Sequence, residues 1–522
     1  MGRDAATLMA RGLKSLKGAK ARDPLHFRNN MAHAESEQLP FTELAIPNPI
    51  ELPHRKRIYC NRDLRFDLID AIGFDMDYTL AVYKQEAIDR VSIESTVEKL
   101  IERGYPEALR SMPVHLRFPI RGLLVDRKLG NIIKTDRYRY PKKAFHGTRL
   151  LTSEERRRIY ANNRIRPGTA RYHSIDTLYA LSEATLYAAA IDVLDHELAN
   201  INYGSLFDDI RACIDEAHRD GSIKDRIRGD LGAYLERDPD LGLVLHKLRS
   251  AGKKLFLLTN SEPDYTDAVM GHLLGGNSEY AHWARYFDVV VADAKKPLFF
   301  TGDESFYEVG KVDQPADALE RGRVYQGGSL AEFERLLEVT GDRILYVGDH
   351  IFGDVLRAKK VSAWRTLMII QELRDELKAV QLLEDEIERM HRLEQRRYQL
   401  IDQLRERQAE FKAIARKLEQ LVAGGETLEL EAERTRLKRA VDRLRMQLKS
   451  VELEHAELER QIDEAHHPFW GSVFKAESEL SSFGEQVERY ACVYTDRVTN
   501  LLHYGLNHFF RGPRHRMAHE LL

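Results

Sequence analysis

The chain has 522 residues, of which 43% are hydrophobic, so it is long enough to form two or three folded domains. Its 80 basic and 83 acidic side chains leave a formal net charge of −3, without the basic excess of a dedicated nucleic-acid-binding protein. The three cysteines, Cys60, Cys213 and Cys492, are too far apart for a disulfide framework or a zinc motif. No apolar run approaches the ~20 residues of a membrane span. We therefore expect a cytoplasmic protein with neither a membrane span nor a nucleic-acid polymer as partner.

The chain begins with a polar, proline-punctuated extension over residues 1–55. Its basic first 23 residues are compatible with a disordered tail or with an amphipathic surface helix. A short apolar strand over residues 71–74 follows and ends in two aspartates, Asp75 and Asp77.

A long insert separates this strand from the next apolar run. Most of residues 85–240 show apolar positions at a spacing of three to four, which is typical of amphipathic helices, and a β-hairpin is predicted near residues 120–141. The insert is too long for one crossover helix. We therefore predict a mainly helical cap over residues 91–239, placed above a site at the end of the first strand.

Three short apolar runs then alternate with helical segments: KKLFLLTNS, YFDVVVADA and DRILYVGDH. Continuous apolar strands alternating with helices indicate a parallel sheet that is covered on both faces. Residues 56–90 and 240–370 are therefore predicted to form an α/β core. In such sheets, ligands bind at the carboxyl ends of the strands.

A helical hairpin is predicted over residues 371–467. Its return arm has apolar side chains at alternating steps of four and three, a heptad seam with one histidine. The seam consists of Leu437, Val441, Leu444, Leu448, Val451, His455, Leu458, Ile462 and Ala465. The outgoing arm repeats the pattern less strictly and includes Val380, and tandem glycines within residues 423–426 favour a reversal. Residues 468–522 are aromatic and apolar, and we expect a helical segment that packs back on the core.

Polar side chains follow each predicted core strand. Asp75 and Asp77 lie two residues apart, so their like charges require a bound cation or a retained proton. On its own, this pair is equally compatible with a calcium-binding or a solvated turn. The later strands add hydroxyl and amide donors, one lysine and two carboxylates, which together suit a divalent metal and a phosphate group. These residues are Thr259, Asn260, Lys296, Asp349 and Asp354.

The order of these motifs resembles that of the haloacid-dehalogenase (HAD) phosphohydrolases. More narrowly, GFDMDYTLAVYK, TNS, DAKKPLFF, YQGGS and YVGDHIFGDVLRAKK resemble the cytosolic purine 5′-nucleotidase family. The similarity covers residues 55–370 and resumes near the end of the chain. It implies a HAD-type, Rossmann-like parallel sheet.

The resemblance also implies a role for each matching residue. Asp75 is the expected nucleophile that forms an aspartyl-phosphate, and Asp77 is the expected general acid and base. Mg²⁺ would be bound by Asp75, the main-chain carbonyl of Asp77 and Asp349, with Asp354 supporting the site. The residues expected to bind the phosphate oxygens are Thr259, Asn260 and Lys296.

Four cap residues match the substrate-binding positions of the family. Tyr179 would stack on the base, and Lys224 would lie near the phosphate. Arg211 and Asp215 are one helical turn apart. Alone they could be a surface ion pair, whereas the resemblance implies that they bind the purine edge. Ala180 and Arg219 differ from the residues of the animal enzymes at these positions.

An effector site is also implied by the resemblance. Arg166, Lys360, Gln486 and Tyr490 match its positions, whereas Asp176 places a carboxylate where the family has an asparagine. A nucleotide effector is therefore a possible partner and is not assigned to the site.

The sequence thus predicts a homo-oligomeric, Mg²⁺-dependent 5′-nucleotidase for purine nucleoside 5′-monophosphates, with IMP and GMP as the first candidate substrates. Two alternatives stay open. One is a HAD phosphatase for another phosphomonoester. The other is an interaction protein that uses its helical hairpin and has a vestigial phosphatase core.

Overall fold

The computed structural model describes residues 51–161, 165–197, 200–276, 280–311, 314–351, 362–420, 425–514 and 517–520. These residues belong to one compact unit. The predicted extension up to residue 50, Asp354 and Lys360 lie outside the described residues.

A nine-stranded sheet forms the core of the described chain. Its order is β1-β19-β16-β15-β3-β11-β12-β14-β13, and every neighbouring pair is parallel except the two outermost ones. In that order the strands are Tyr59–Cys60, Val493–Thr495, Arg365–Ile369, Ile344–Gly348, Ala71–Phe74, Lys254–Leu258, Val289–Ala292, Val324–Gly327 and Phe306–Glu308. The predicted parallel sheet is confirmed.

The register of the central strands brings the polar residues at their carboxyl ends close together. Phe74 of β3 lies opposite Leu257 of β11 on one side and Val347 of β15 on the other. β3, β12 and β15 are buried along their whole length. This explains their uninterrupted apolar sequences, because neither face meets water. The residues that follow each strand therefore meet at one edge of the sheet.

The insert after β3 contains helices and a second sheet. Its helices are α1 (Gln85–Glu102), α2 (Ser153–Tyr160), α3 (Ala180–Glu197), α4 (Tyr203–Arg219), α5 (Lys224–Gly229) and α6 (Leu231–Tyr234). Beside them lies an antiparallel sheet of order β8-β7-β6-β5-β9, consisting of Arg149–Leu150, Pro141–His146, Asn131–Thr135, Leu123–Asp126 and Tyr172–Ile175. The predicted hairpin corresponds to β5 and β6. The other three strands are polar or very short, so their sequences do not show the alternation of a half-buried strand.

The core helices lie between the strands that follow the insert. They are α7 (Leu241–Ser250), α8 (Pro263–Leu274) and α9 (Leu330–Leu337). Two of the short ribbons join distant parts of the chain: β4 (Val82–Tyr83) with β10 (Leu235–Glu236), and β2 (Leu64–Arg65) with β20 (Phe509–Phe510). The third is formed by β17 (Lys475–Ala476) and β18 (Glu479–Leu480).

The predicted helical hairpin is confirmed. It consists of α10 (Leu373–Leu382), α11 (Glu384–Gln420) and α12 (Gly425–His466). Seam residues such as Leu437 and Leu458 are buried. Val380 is 45% exposed, so its assignment to the seam was wrong. It lies on α10, which ends before the long helix α11 begins, and the heptad periodicity is interrupted at this break. Residues 423 and 424 of the predicted reversal lie outside the described residues.

The end of the chain completes the core sheet. Residues 468–522 contain one α-helix among their described residues, α13 (Ser482–Tyr490). They also supply β19, which pairs in parallel with β16. The prediction of a helical segment that packs on the core was therefore wrong in one respect, because this segment also supplies a strand of the core sheet. A three-residue strand is too short to show a period in the sequence.

None of the helices in the described ranges is both long and apolar enough to cross a membrane.

Candidate active site

Asp75 and Lys296 form an ion pair at the edge of the core sheet. Asp75 follows β3, and its main-chain N–H donates to the Val347 carbonyl over 2.8 Å. Its Oδ1 accepts from the Met76 N–H at 2.8 Å and lies 2.9 Å from Lys296 Nζ. Lys296 is only 9% exposed. A buried ion pair is tolerated when further hydrogen bonds hold its partners, and here they fix one oxygen of Asp75.

Lys296 is held at both ends. Its Nζ donates to the Tyr346 hydroxyl at 3.0 Å, and that hydroxyl donates to the Leu258 carbonyl at 3.2 Å. Its main-chain N–H donates to Asn260 Oδ1 at 2.6 Å, and Asn260 Nδ2 donates back to the Lys296 carbonyl at 2.9 Å. Asn260, expected to bind phosphate, therefore uses both polar atoms of its side chain to position the lysine.

Asp77 accepts one hydrogen bond on each carboxylate oxygen. The Tyr83 hydroxyl donates to Oδ1 and the Ser261 hydroxyl donates to Oδ2, each at 2.6 Å. Burial raises the pKa of the Asp77 carboxyl, although Ser261, Tyr83 and the charge of Lys296 act in the opposite direction. A carboxyl group with a raised pKa is suited to donate a proton near neutral pH.

Thr259 and Ser261 belong to the turn after β11. Thr259 is fully buried, and its Oγ1 accepts from the Ser261 N–H at 3.1 Å. Its own N–H donates to the Val291 carbonyl of β12 at 3.0 Å. The turn thus places the Thr259 and Ser261 side chains at the same edge as Asp75 and Asp77.

Asp349 follows β15 and is buried against Arg121. The guanidinium donates to the Asp349 carbonyl at 2.8 Å and lies 3.8 Å from Asp349 Oδ2. Two other nitrogens of Arg121 donate to the Glu372 carboxylate at 2.7 and 2.6 Å. The Arg121 side chain is completely buried. Arg121 was not recognised in the sequence, because it belongs to no strand-end motif and its partners are more than 200 residues away.

The oxygen donors at this edge fit Mg²⁺. Within the described residues, no three His, Cys, Asp or Glu side chains are placed to hold one metal ion. Asp75 and Asp349 follow neighbouring strands, and the Asp77 carbonyl, two residues after Asp75, is a third oxygen. Mg²⁺ is commonly bound by one or two carboxylates and keeps several waters, so this small oxygen set suits it. Asp354, the remaining predicted ligand, lies outside the described residues.

Two predicted substrate residues lie near the same edge. Tyr179 is 40% exposed, and its ring centroid lies 4.7 Å from that of Tyr78. Burial of its hydroxyl and the charges of Asp77 and Asp349 raise the pKa of Tyr179. Lys224 lowers the pKa of Asp77 through its charge. Its Nζ lies 3.1 Å from Glu262, the residue after Ser261. The structure therefore brings Tyr179 and Lys224 together with the strand-end residues.

Arg211 and Asp215, predicted to bind the purine edge, have different surroundings in the structure. Arg211 Nε lies 3.5 Å from Glu183 Oε2, and its Nη1 lies 3.5 Å from His173 Nδ1, whereas Asp215 is exposed. Arg211 therefore pairs with Glu183, which was not recognised as a site residue in the sequence. Burial raises the pKa of the Glu183 carboxyl to about 7, while Arg211 opposes the shift. The sequence contained a signal for Glu183, because Glu183 follows the predicted substrate residue Tyr179 by one helical turn.

The residues matched to an effector site have mixed environments. Arg166 is exposed, whereas Gln486 is 7% exposed on α13. Burial raises the pKa of the Asp176 carboxyl to about 6, although Arg139 and Arg121 oppose the shift. A buried carboxyl at this position does not favour a polyphosphate ligand.

The chain is similar to a known protein family and to several known proteins. The model of the 5′ nucleotidase family matches residues 58–522. The chain is 29% identical over 487 residues to a 5′-nucleotidase domain-containing protein of Dictyostelium discoideum, covering 89% of this chain and 74% of that protein. It is 31% identical over 360 residues to 5′-nucleotidase domain-containing protein 2 of Homo sapiens, covering 65% and 67%. The crystal structure of CbbY from Rhodobacter sphaeroides in complex with phosphate is 16% identical, covers 58% of this chain and 86% of its own, and has a TM-score of 0.23.

The family match extends over almost the whole described chain, from β1 through the insert and the helical hairpin to the closing strands. It includes the strand ends that carry Asp75, Thr259, Lys296 and Asp349. The chain belongs to the 5′-nucleotidase family and is a phosphoric monoester hydrolase.

Proposed function

We propose that this protein is a Mg²⁺-dependent 5′-nucleotidase that hydrolyses purine nucleoside 5′-monophosphates through an aspartyl-phosphate. The arrangement of Asp75 and Asp77 carries the proposal. Asp75 is paired with Lys296, whereas burial raises the pKa of Asp77. Two carboxyl groups in such different environments suit the separate tasks of nucleophile and proton donor.

The reaction follows from these positions. Asp75 attacks phosphorus, the bond from phosphorus to the ribose O5′ breaks, and Asp77 gives its proton to that oxygen. In the second step, a water molecule gives a proton to Asp77 and attacks phosphorus, and the bond to Asp75 breaks, which releases phosphate. Mg²⁺ bound by Asp75, Asp349 and the Asp77 carbonyl would neutralise phosphoryl charge. Lys296 and Thr259 lie at the same strand ends and are proposed to hold the phosphoryl oxygens.

The base would be bound by the cap. The ring of Tyr179 provides a partly exposed aromatic surface beside the acidic groups. Arg211 is 43% exposed and paired with Glu183, so it can present a donor to the purine edge. IMP and GMP are the first candidates. Because Ala180 and Arg219 differ from the residues of the animal enzymes, the preferred base is the property in which this protein is most expected to differ from them.

A phosphate-release screen tests the proposal directly. Purified protein with Mg²⁺ is given purine and pyrimidine nucleoside monophosphates, together with a panel of sugar phosphates. The proposal expects the highest kcat/KM for a purine monophosphate. A sugar phosphate as the best substrate would support the alternative of another phosphomonoesterase, and no release from any compound would support a vestigial core.

A further inference from the structure

Asp77 is held by a tyrosine to which neither the motifs nor the mechanism above assigns a role. The Tyr83 hydroxyl donates to Asp77 Oδ1 at 2.6 Å, and the Tyr265 hydroxyl lies 3.0 Å from that of Tyr83. We propose that Tyr83, supported by Tyr265, is a positioning residue that orients the Asp77 carboxyl for proton transfer to the leaving oxygen. This inference rests on the function proposed above.

The environment of the two tyrosines supports a fixed hydrogen-bond chain. Tyr83 is 3% exposed and Tyr265 is 4% exposed. A tyrosine hydroxyl keeps its proton at neutral pH and can donate one hydrogen bond while it accepts another. Tyr83 therefore donates to Asp77 and is itself oriented by Tyr265. With Tyr83 on Oδ1 and Ser261 on Oδ2, the carboxyl plane cannot rotate freely. We assign the exchanged proton to Oδ2.

The position of Tyr83 in the chain connects Asp77 with the insert. Tyr83 lies on β4, where the chain leaves the core, and it pairs with Leu235 of β10, where the chain returns. The next residue, Lys84, donates from its main chain to the Tyr234 carbonyl at 2.8 Å and from Nζ to the Gly232 carbonyl at 2.8 Å. The hydroxyl that orients the acid is thus carried by the ribbon that joins core and cap. A cap displaced at this ribbon would also displace the partner of Asp77.

The role predicts a dependence on the leaving group. A nucleoside leaves as a poor alkoxide and needs the proton from Asp77, whereas p-nitrophenolate leaves without one. Losing one hydrogen bond to a charged group corresponds to about 10- to 100-fold in rate. Tyr83→Phe should therefore slow release of the nucleoside by about that factor and slow release of p-nitrophenol less than about threefold.

Single-turnover measurements with enzyme in excess test this, because they follow the first step alone. Tyr265→Phe should give a smaller loss with the same dependence on the leaving group. Tyr78→Phe is the matched control, since the Tyr78 hydroxyl is buried in the same cluster and has no hydrogen-bond partner among the described residues. It should leave both rates within about twofold. Equal losses on both substrates in Tyr83→Phe, or no loss on either, would overturn the proposal.

A double-mutant cycle separates this inference from the proposed function. If Tyr83 acts through Asp77, adding Tyr83→Phe to Asp77→Ala should cost less than about twofold in nucleoside release. Additive losses would show that Tyr83 acts elsewhere. A wild-type protein that releases no nucleoside, or an Asp77→Ala variant with undiminished release, would instead overturn the proposed function. Near-ultraviolet circular dichroism of each variant establishes that the fold is intact.

Discussion

The guanidinium of Arg121 donates to the main-chain carbonyl of Asp349 over 2.8 Å, where the chain leaves β15. The same side chain is held by both oxygens of Glu372 and lies 4.8 Å from the centre of the Phe483 ring. Arg121 stands just before β5 of the insert, and Phe483 belongs to α13. One buried cation therefore fixes a candidate metal ligand relative to the insert and to the end of the chain.

Substitution of Arg121 should weaken metal binding. Arg121→Lys keeps the charge but loses the planar, bidentate contact with Glu372. We expect a several-fold increase in the Mg²⁺ concentration that gives half-maximal activity, measured by metal titration of phosphate release. Arg226→Lys is the matched control, because Arg226 forms an ion pair in which both side chains are about half exposed, and such pairs contribute under ~1 kcal/mol. An unchanged Mg²⁺ requirement in Arg121→Lys would contradict this role.

Asp75→Asn should abolish phosphate release while the protein stays folded. The amide has the shape of the carboxylate but is not a nucleophile, and the ion pair of Asp75 with Lys296 is lost. Activity should fall below about a hundredth of the wild-type value, a range typical of single catalytic groups. Thermal unfolding of the variant checks the fold. Residual activity well above that level would mean that Asp75 does not attack phosphorus.

Removal of divalent metal should stop the reaction. The donor set of Asp75, Asp349 and the Asp77 carbonyl contains only oxygen, which favours Mg²⁺ over Zn²⁺. We expect no phosphate release in excess EDTA, recovery with Mg²⁺, and no requirement for Zn²⁺. Full activity in EDTA would show that the oxygen cluster does not bind an essential metal.

Substitutions of Glu183 and Asp215 should affect selection of the base to different extents. Because Arg211 pairs with Glu183, Glu183→Gln should disturb Arg211 and lower kcat/KM for the best purine monophosphate by about 10- to 100-fold, the value of ~1–3 kcal/mol for a disrupted buried polar contact. Hydrolysis of p-nitrophenyl phosphate, which has no base, should change little. Asp215→Ala should have the smaller effect in this arrangement. The reverse order of effects would favour direct binding of the purine by Asp215.

The strand ends could be predicted from the sequence, whereas the contacts that support them could not. Asp75, Thr259 and Asp349 follow buried parallel strands, whose continuous apolar runs are recognisable without a structure. Tyr83 contacts Asp77 and Arg121 contacts Asp349 only through tertiary packing, and neither has a periodicity of its own. The same reason explains the missed strands of the insert: β7 and β9 are polar segments that become strands by pairing with β6 and β5.

The buried carboxyl of Asp89 should make stability depend on pH. Asp89 on α1 is 1% exposed, and burial raises its pKa to about 8, with Gln85 opposing the shift. In the unfolded chain the group titrates near its ordinary value of 3.8. Between these values the folded protein retains a proton that the unfolded chain has released, so the free energy of unfolding decreases as the pH rises from about 4 to 8. The slope from this group is at most about 1.4 kcal/mol per pH unit.

Asp89→Asn replaces the carboxyl by a neutral amide and removes this term, so the variant should gain stability relative to the wild type as the pH increases toward 8. Denaturant unfolding at pH 5.5 and pH 8 measures the difference. Asp225→Asn is the control, because the Asp225 side chain is 70% exposed and its replacement should leave the pH dependence unchanged. If Asp89→Asn and the wild type lose stability in parallel between the two pH values, Asp89 is ionised in the folded protein and the decline arises from other groups.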